Sequence, residues 1–154
     1  MARHLSVMAM AFLAALPLRG AAPAFKEATV TEALNRVDLL SGASQRPAKV
    51  SDRVQGNDVV RTGERSRAEL RFPDATIARI GANAAFSFRP DTRGVDLQKG
   101  SILFHSPKGM GGGQIRTAAA TASVLGTTII VCATRDGGFK VLVLEGKAKV
   151  QTPN

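Results

Sequence analysis

The stretch RAELRF, residues 67–72, puts Ala68, Leu70 and Phe72 on one side and Arg67, Glu69 and Arg71 on the other. Successive side chains of a strand point to opposite faces, so a period of two marks an extended segment with one buried face. The pattern recurs along the chain. AFSF, 85–88, sends Phe86 and Phe88 inward, and VDLQKG, 95–100, does the same with Val95 and Leu97. ATVTEAL and NRVDLL, between 28 and 40, are further strand-like runs. Turn sequences separate them: SGAS at 41–44, PDAT at 73–76, RPDTRG at 89–94 and RDGG at 135–138. TTIIVC, 127–132, is apolar on both faces and reads as a central strand covered on both sides. RDGG followed by FKVLVLEG predicts a hairpin. TAAATAS, 117–123, is rich in helix-forming Ala, yet strands on either side assign it to loop or irregular strand. The expectation is an all-β fold of short antiparallel strands, as a β-sandwich or a short β-solenoid.

The first 24 residues are expected to be a signal peptide. Arg3 is followed by an apolar run at 5–18, and Ala22 and Ala24 flank Pro23 in a small-x-small cleavage pattern. The run is short for a membrane span. The expected mature domain, 25–154, is therefore periplasmic or secreted. Losing Arg3 and Arg19 leaves 19 cations against 12 acids, a formal charge of +7. Cys132 is the one cysteine, so no intramolecular disulfide can staple the fold and a hydrophobic core must hold it.

Two echoes predict related halves, 60–107 and 115–153. GSILFHSP at 100–107 and GKAKVQTP at 146–153 share an initial Gly, an apolar residue four places on and a hydroxyl-Pro ending. VRTGERSRAEL at 60–70 likewise resembles IRTAAATASVL at 115–125. The first half would hold an extra hairpin within PDATIARIGANAAF, 73–86. Aligned on the second echo, Ile102, Phe104 and Ser106 match Ala148, Val150 and Thr152 on the inward face, and Leu103 and His105 turn outward.

His105, the one histidine beyond the leader, is thereby a surface residue rather than a catalytic one. Cys132 reads as a small buried hydrophobe, with no basic neighbour before Arg135. Asp74, Asp91, Asp96 and Asp136 fall at turns or on polar faces, where solvated acids are expected. One His and one Cys without clustered acids make no metal site, and KGMGGGQ, 108–114, lacks the Gly-Lys-Ser/Thr ending of a phosphate loop. No enzyme, cofactor or metal is expected. The candidates for partner contact are Leu103, which is apolar where its counterpart is Lys149, together with His105, Met110 in the 108–114 loop, and the basic face Arg61, Arg65, Arg67 and Arg71. An envelope protein is the expected partner, with an acidic envelope polymer as the alternative. The absence of Tyr and Trp argues against nucleic acid, which is commonly stacked on aromatic rings.

The segment KVSDRVQGNDVVRTGERSRAELRFPDATIARIGANAAFSF, 49–88, resembles the first half of the FecR-type periplasmic domain. Asp58, Thr62, Gly63, Ser66, Ala68, Leu70, Asp74, Gly81 and Asn83 stand at its pattern positions. Gly100, Thr117, Gly126, Thr127, Val143, Glu145, Gly146 and Val150 do so for the second half. Three positions depart: Ala75 replaces a turn Gly, Leu125 an Arg before the Gly-Thr pair, and Ala118 a Pro. Regulators of this family carry an anti-sigma segment and a membrane span ahead of the domain, and a receptor-contacting segment behind it. The resemblance thus implies an exported FecR-like β module acting by protein contact in sensing or scaffolding. It does not carry over control of a sigma factor.

Overall fold

The computed structural model describes residues 22–152, so the expected leader lies outside the described residues except for its last three. Fourteen strands form one curled sheet with two arms joined through a long shared strand. In chain order they are β1 (Glu27–Leu34), β2 (Val37–Ser41), β3 (Ser44–Pro47), β4 (Arg53–Gln55), β5 (Val59–Thr62), β6 (Arg67–Arg71) and β7 (Ile77–Ile80). There follow β8 (Ala85–Phe88), β9 (Gly94–His105), β10 (Gly113–Arg116), β11 (Thr121–Val124), β12 (Thr128–Ala133), β13 (Phe139–Glu145) and β14 (Ala148–Gln151). The first arm runs β4–β1–β6–β7–β9–β12–β13, and the second β3–β2–β5–β8–β9–β10–β11–β14. All pairings are antiparallel except β9 with β10. The all-β expectation holds.

β9 changes arms at Gly100. Residues up to Lys99 pair with β8, and those from Gly100 onward pair with β12. Gly100 has φ of 90°, and a Cβ there would lie 2.5 Å from that of Ala84. No other residue turns this corner without strain or collision.

The inner faces of both arms share one core. In the first arm a row of neighbours runs Val30, Leu70, Ala78, Phe104, Ile129, Val143. In the second it runs Phe88, Val95, Ile115, Ala122, Val150. Every member is buried except the last of each row, Val143 and Val150, which are 41% and 42% exposed. The ring of Phe25 lies 4.3 Å from that of Phe72 and edge-on to Phe104, while Phe72 meets Phe88 at 5.1 Å.

The alternations of β6, β8 and β9 appear as read, with Ala68, Leu70, Phe72, Phe86, Phe88, Val95 and Leu97 buried. TTIIVC is central, between β9 and β13, but only one face is fully covered: Ile129 and Val131 are buried, Ile130 and Cys132 half-buried. Among the described residues no second layer lies over the outer face of the first arm. PDAT turns a hairpin of β6 with β7, so only its second strand lies within 73–86, and β7 and β8 do not pair with each other. The echoes, however, occupy different places. β5 and β6 lie in different arms, whereas β10 and β11 form a hairpin within the second arm. GSILFH lies mid-arm on β9, and GKAKVQ leads into β14 at an edge. What they share is a corner glycine, with φ of 90° at Gly100 and 85° at Gly146. Ile102 and Phe104 face the core as expected, but Val150 and Thr152 are exposed because, among the described residues, no strand lies beyond β14.

Ala75 adopts the left-handed turn despite its side chain, with φ of 64°. The turn is held by Ala75 N–H donating to Phe72 O and by Thr76 N–H donating to Asp74 Oδ1. Ala75→Gly should raise stability by about 0.5–1 kcal/mol, the relief of the left-handed penalty exceeding the added entropy of an unfolded glycine. A urea midpoint that did not rise would show the turn to be unstrained.

Candidate interaction surface

The residues that carry the family pattern hold turns and corners. Asp58 is buried and accepts from Gln55 N–H. The Thr62 hydroxyl donates to Gly81 O at 2.6 Å and accepts from Ala84 N–H at 2.9 Å, tying β5 to the loop before β8. The Ser66 hydroxyl accepts from Arg36 N–H and donates to Glu64 O. At the other end, the Thr127 hydroxyl donates to Lys147 O at 2.9 Å, beside Gly126 and Gly146. Each satisfies a backbone group that the bend would otherwise leave unpaired.

The basic face divides. Arg61 pairs with Asp38 and Ala85 on the second arm, whereas Arg67 and Arg71 lie on the outer face of the first. Arg65 sits in the turn between β5 and β6, with φ of 52°. Neighbours in sequence are thus separated by the crossing from one arm to the other. Arg67 bonds Glu32 at 2.6 Å and Arg79 bonds Glu69 at 2.6 Å, so part of the positive charge is locally answered.

Leu103 and His105 lie where the alternation predicts, on the outer face of the first arm, both half-buried. His105 Nδ1 is 2.8 Å from the Thr128 hydroxyl. Leu103 belongs to a row crossing the sheet: Glu32, Glu69, Arg79, Leu103, Ile130, Leu142. The row is ionic at one end and apolar at the other, and a shallow groove of about 450 Å³ runs along it as far as Ile130. Met110 lies apart, 39% exposed on the loop before β10. Ile130 and Leu142 were not among the sequence candidates. Their signal was present, since both fall on the second face of runs apolar on both sides.

Asp74 departs from the reading of a solvated turn acid. Its carboxylate bonds Arg93 at 2.5 Å, with side chains only 8% and 12% exposed. Arg93, which nothing in the sequence singled out, also donates to Gly112 O and Pro23 O at 2.8 Å each and lies 4.4 Å above the Phe25 ring. One guanidinium therefore pins three other segments of chain. Asp96 is shared as well, by Arg89 and Arg116. Cys132 is half-buried on the outer face, and its cross-strand neighbour is Lys140, a basic group that sequence proximity did not reveal.

The hydrogen bond from Arg79, assisted by Thr31, holds the Glu69 carboxyl below its usual range against the opposing effect of burial. Arg46 lowers Asp52 in the same way. A carboxyl lowered by folding contributes stability above its unfolded pKa and loses it as pH falls through the folded value. Stability should therefore be insensitive to these groups at neutral pH and fall progressively below about pH 4.5. Glu69→Gln should shallow that decline; an unchanged acid slope in urea titrations would remove Glu69 from the account.

The chain is, then, a small all-β domain whose signature residues build corners and whose outer face carries a half-apolar row. Residues 58–149 match the family model described as FecR protein, and the chain belongs to that family. No curated protein and no solved structure matches it.

Proposed function

We propose that this FecR-family chain is an exported, non-enzymatic module of the cell envelope that acts by protein–protein contact, in sensing or as a scaffold. Membership of the family supports a signalling-related envelope module, and no described helix is long and apolar enough to cross a membrane. The observation that carries the contact reading is the row Leu103, Ile130, Leu142. A partner strand or loop laid on it would bury apolar surface at one end and meet Arg79 and Glu69 at the other, the core-and-rim arrangement of protein interfaces.

The acidic-polymer reading draws less support, because Arg36, Arg46, Arg53, Arg67, Arg79, Arg89, Arg93 and Arg116 all have carboxylate partners within the chain. A photo-cross-linking residue placed at Leu103 in living cells should give adducts with a discrete envelope protein, and one at Gln45 on β3 should not. Equal labelling at both positions, or none at Leu103, would overturn the contact reading. Retention of the chain in the cytosolic fraction would overturn the export reading.

A further inference from the structure

We propose that β13 is a self-recognition edge, and that two copies of this chain pair there antiparallel about a two-fold axis through Leu142. The starting observation is how differently the free edges of the curled sheet are protected. β3 carries Arg46 and Pro47, β4 is three residues long with Arg53 on it, and β14 carries Lys149 just after Lys147. Charge, proline and shortness are the usual guards against edge-to-edge pairing. β13 carries Lys140 and Glu145, charges of opposite sign, but neither proline nor shortness guards it. It is seven residues, FKVLVLE, and among the described residues pairs β12 alone. Phe139, Leu142, Val143 and Leu144 are 37%, 53%, 41% and 53% exposed. A row of unpaired backbone groups flanked by apolar side chains is a template for another strand.

The sequence of β13 says which strand fits. Its register with β12 shifts between Thr128 and Ile129: Glu145 faces Thr128 and Val143 faces Ile129, so Leu144 is the extra residue of a bulge. The bulge leaves Lys140, Leu142 and Glu145 on the outer face, with Val141 and Val143 on the inner. When an antiparallel copy is laid alongside with Leu142 opposite its own equivalent, Val141 faces Val143 of the second copy. The bulge then brings Lys140 opposite Glu145 of the second copy. Apolar meets apolar, cation meets carboxylate, and the two members of each pair share a face. Without the bulge, Lys140 and Glu145 would project from opposite faces and could not meet. A parallel copy in register would set Lys140 against Lys140. The present neighbour of Glu145, Lys108 at 3.4 Å, forms an exposed pair that can exchange. Pairing stops at the first arm, because Lys147 and Lys149 at the β14 edge have no matching carboxylate on that strand. The dimer would join the two rows Leu103, Ile130, Leu142 into one apolar stripe spanning both copies.

The test is sedimentation equilibrium of the full exported chain over the micromolar range. The wild type should dimerise. Lys140→Glu and Glu145→Lys should each weaken the dimer about tenfold, since the two-fold axis counts each like-charge pair twice. The combined Lys140→Glu/Glu145→Lys chain should return to within about twofold of wild type, an outcome that a misfolded variant does not give. In a Cys132→Ser background, Leu142→Cys should form a disulfide-linked dimer on mild oxidation, since directly opposed positions lie within disulfide reach. Gln45→Cys should not. A monomer with no cross-link at position 142, a dimer indifferent to both charge reversals, or a double reversal no better than the singles would each overturn the proposal. None of these readouts depends on the envelope partner, so failure here leaves the photo-cross-linking result to stand or fall separately.

Discussion

Phe104→Ala is expected to lower the free energy of unfolding by about 4 kcal/mol. Phe104 is fully buried between Ala78 and Ile129 on the inner row of the first arm. Its ring also reaches the second arm: a Cβ on Gly113 would come within 2.9 Å of Cζ. Truncation opens a cavity that neither arm can fill by itself, because each is braced by its own strand ladder. With no Trp or Tyr in the chain, far-UV circular dichroism against urea is the practical measurement. Phe139→Ala, on the open edge, should change stability by less than about 1 kcal/mol. A loss below that same level for Phe104→Ala would mean that the arms do not share a core. Domains of this size are stable by only about 5–15 kcal/mol, so the substitution removes a large share of the total.

Asp74→Asn should be nearly as damaging, with a loss of about 3 kcal/mol. The amide can still accept from Thr76 N–H, so the turn survives, but the Arg93 guanidinium loses its counter-charge in a setting only 12% exposed. A buried charge deprived of its partner retains its desolvation penalty without the compensating attraction. Because the pair is shielded from solvent, the loss should persist at high salt, unlike that of the exposed Arg67–Glu32 pair. In an Arg93→Met background the effect of Asp74→Asn should fall to less than half. An equal loss in both backgrounds would assign the effect to the turn rather than to the ion pair.

What was legible in the sequence follows the range of the physics involved. Alternation is local, so RAELRF, AFSF and VDLQKG specified the buried faces of β6, β8 and β9 without reference to the rest of the chain. The turns at PDAT and RDGG were equally plain. The position of Leu103 and His105 on an outer face followed from alternation in the register set by the echo GKAKVQTP. The basic face divides because Arg61 and Arg67, six residues apart, are separated by a change of arm, and parity says nothing about which arm a strand joins. The repeat was read as two equivalent units, yet its clearest structural content is a pair of corner glycines. Similar corners impose similar residues even where the surrounding pairings differ. The row Leu103, Ile130, Leu142 was one-third visible, because its members come from three strands whose register only assembly sets.

Local pattern in the chain specifies an all-β fold, the buried faces of β6, β8 and β9, the places where the chain turns, and the pattern of the FecR family. These properties reside in short-range periodicity and in residues whose backbone preferences are their own. The assembled sheet alone makes Arg93 and Asp74 a buried tie, lets Asp96 answer two arginines, and leaves β13 at an edge with a bulge, the arrangement from which the pairing of two copies is proposed. Those facts depend on which strands become neighbours and in what register. That choice belongs to the packing of the whole core, and no local stretch of residues contains it.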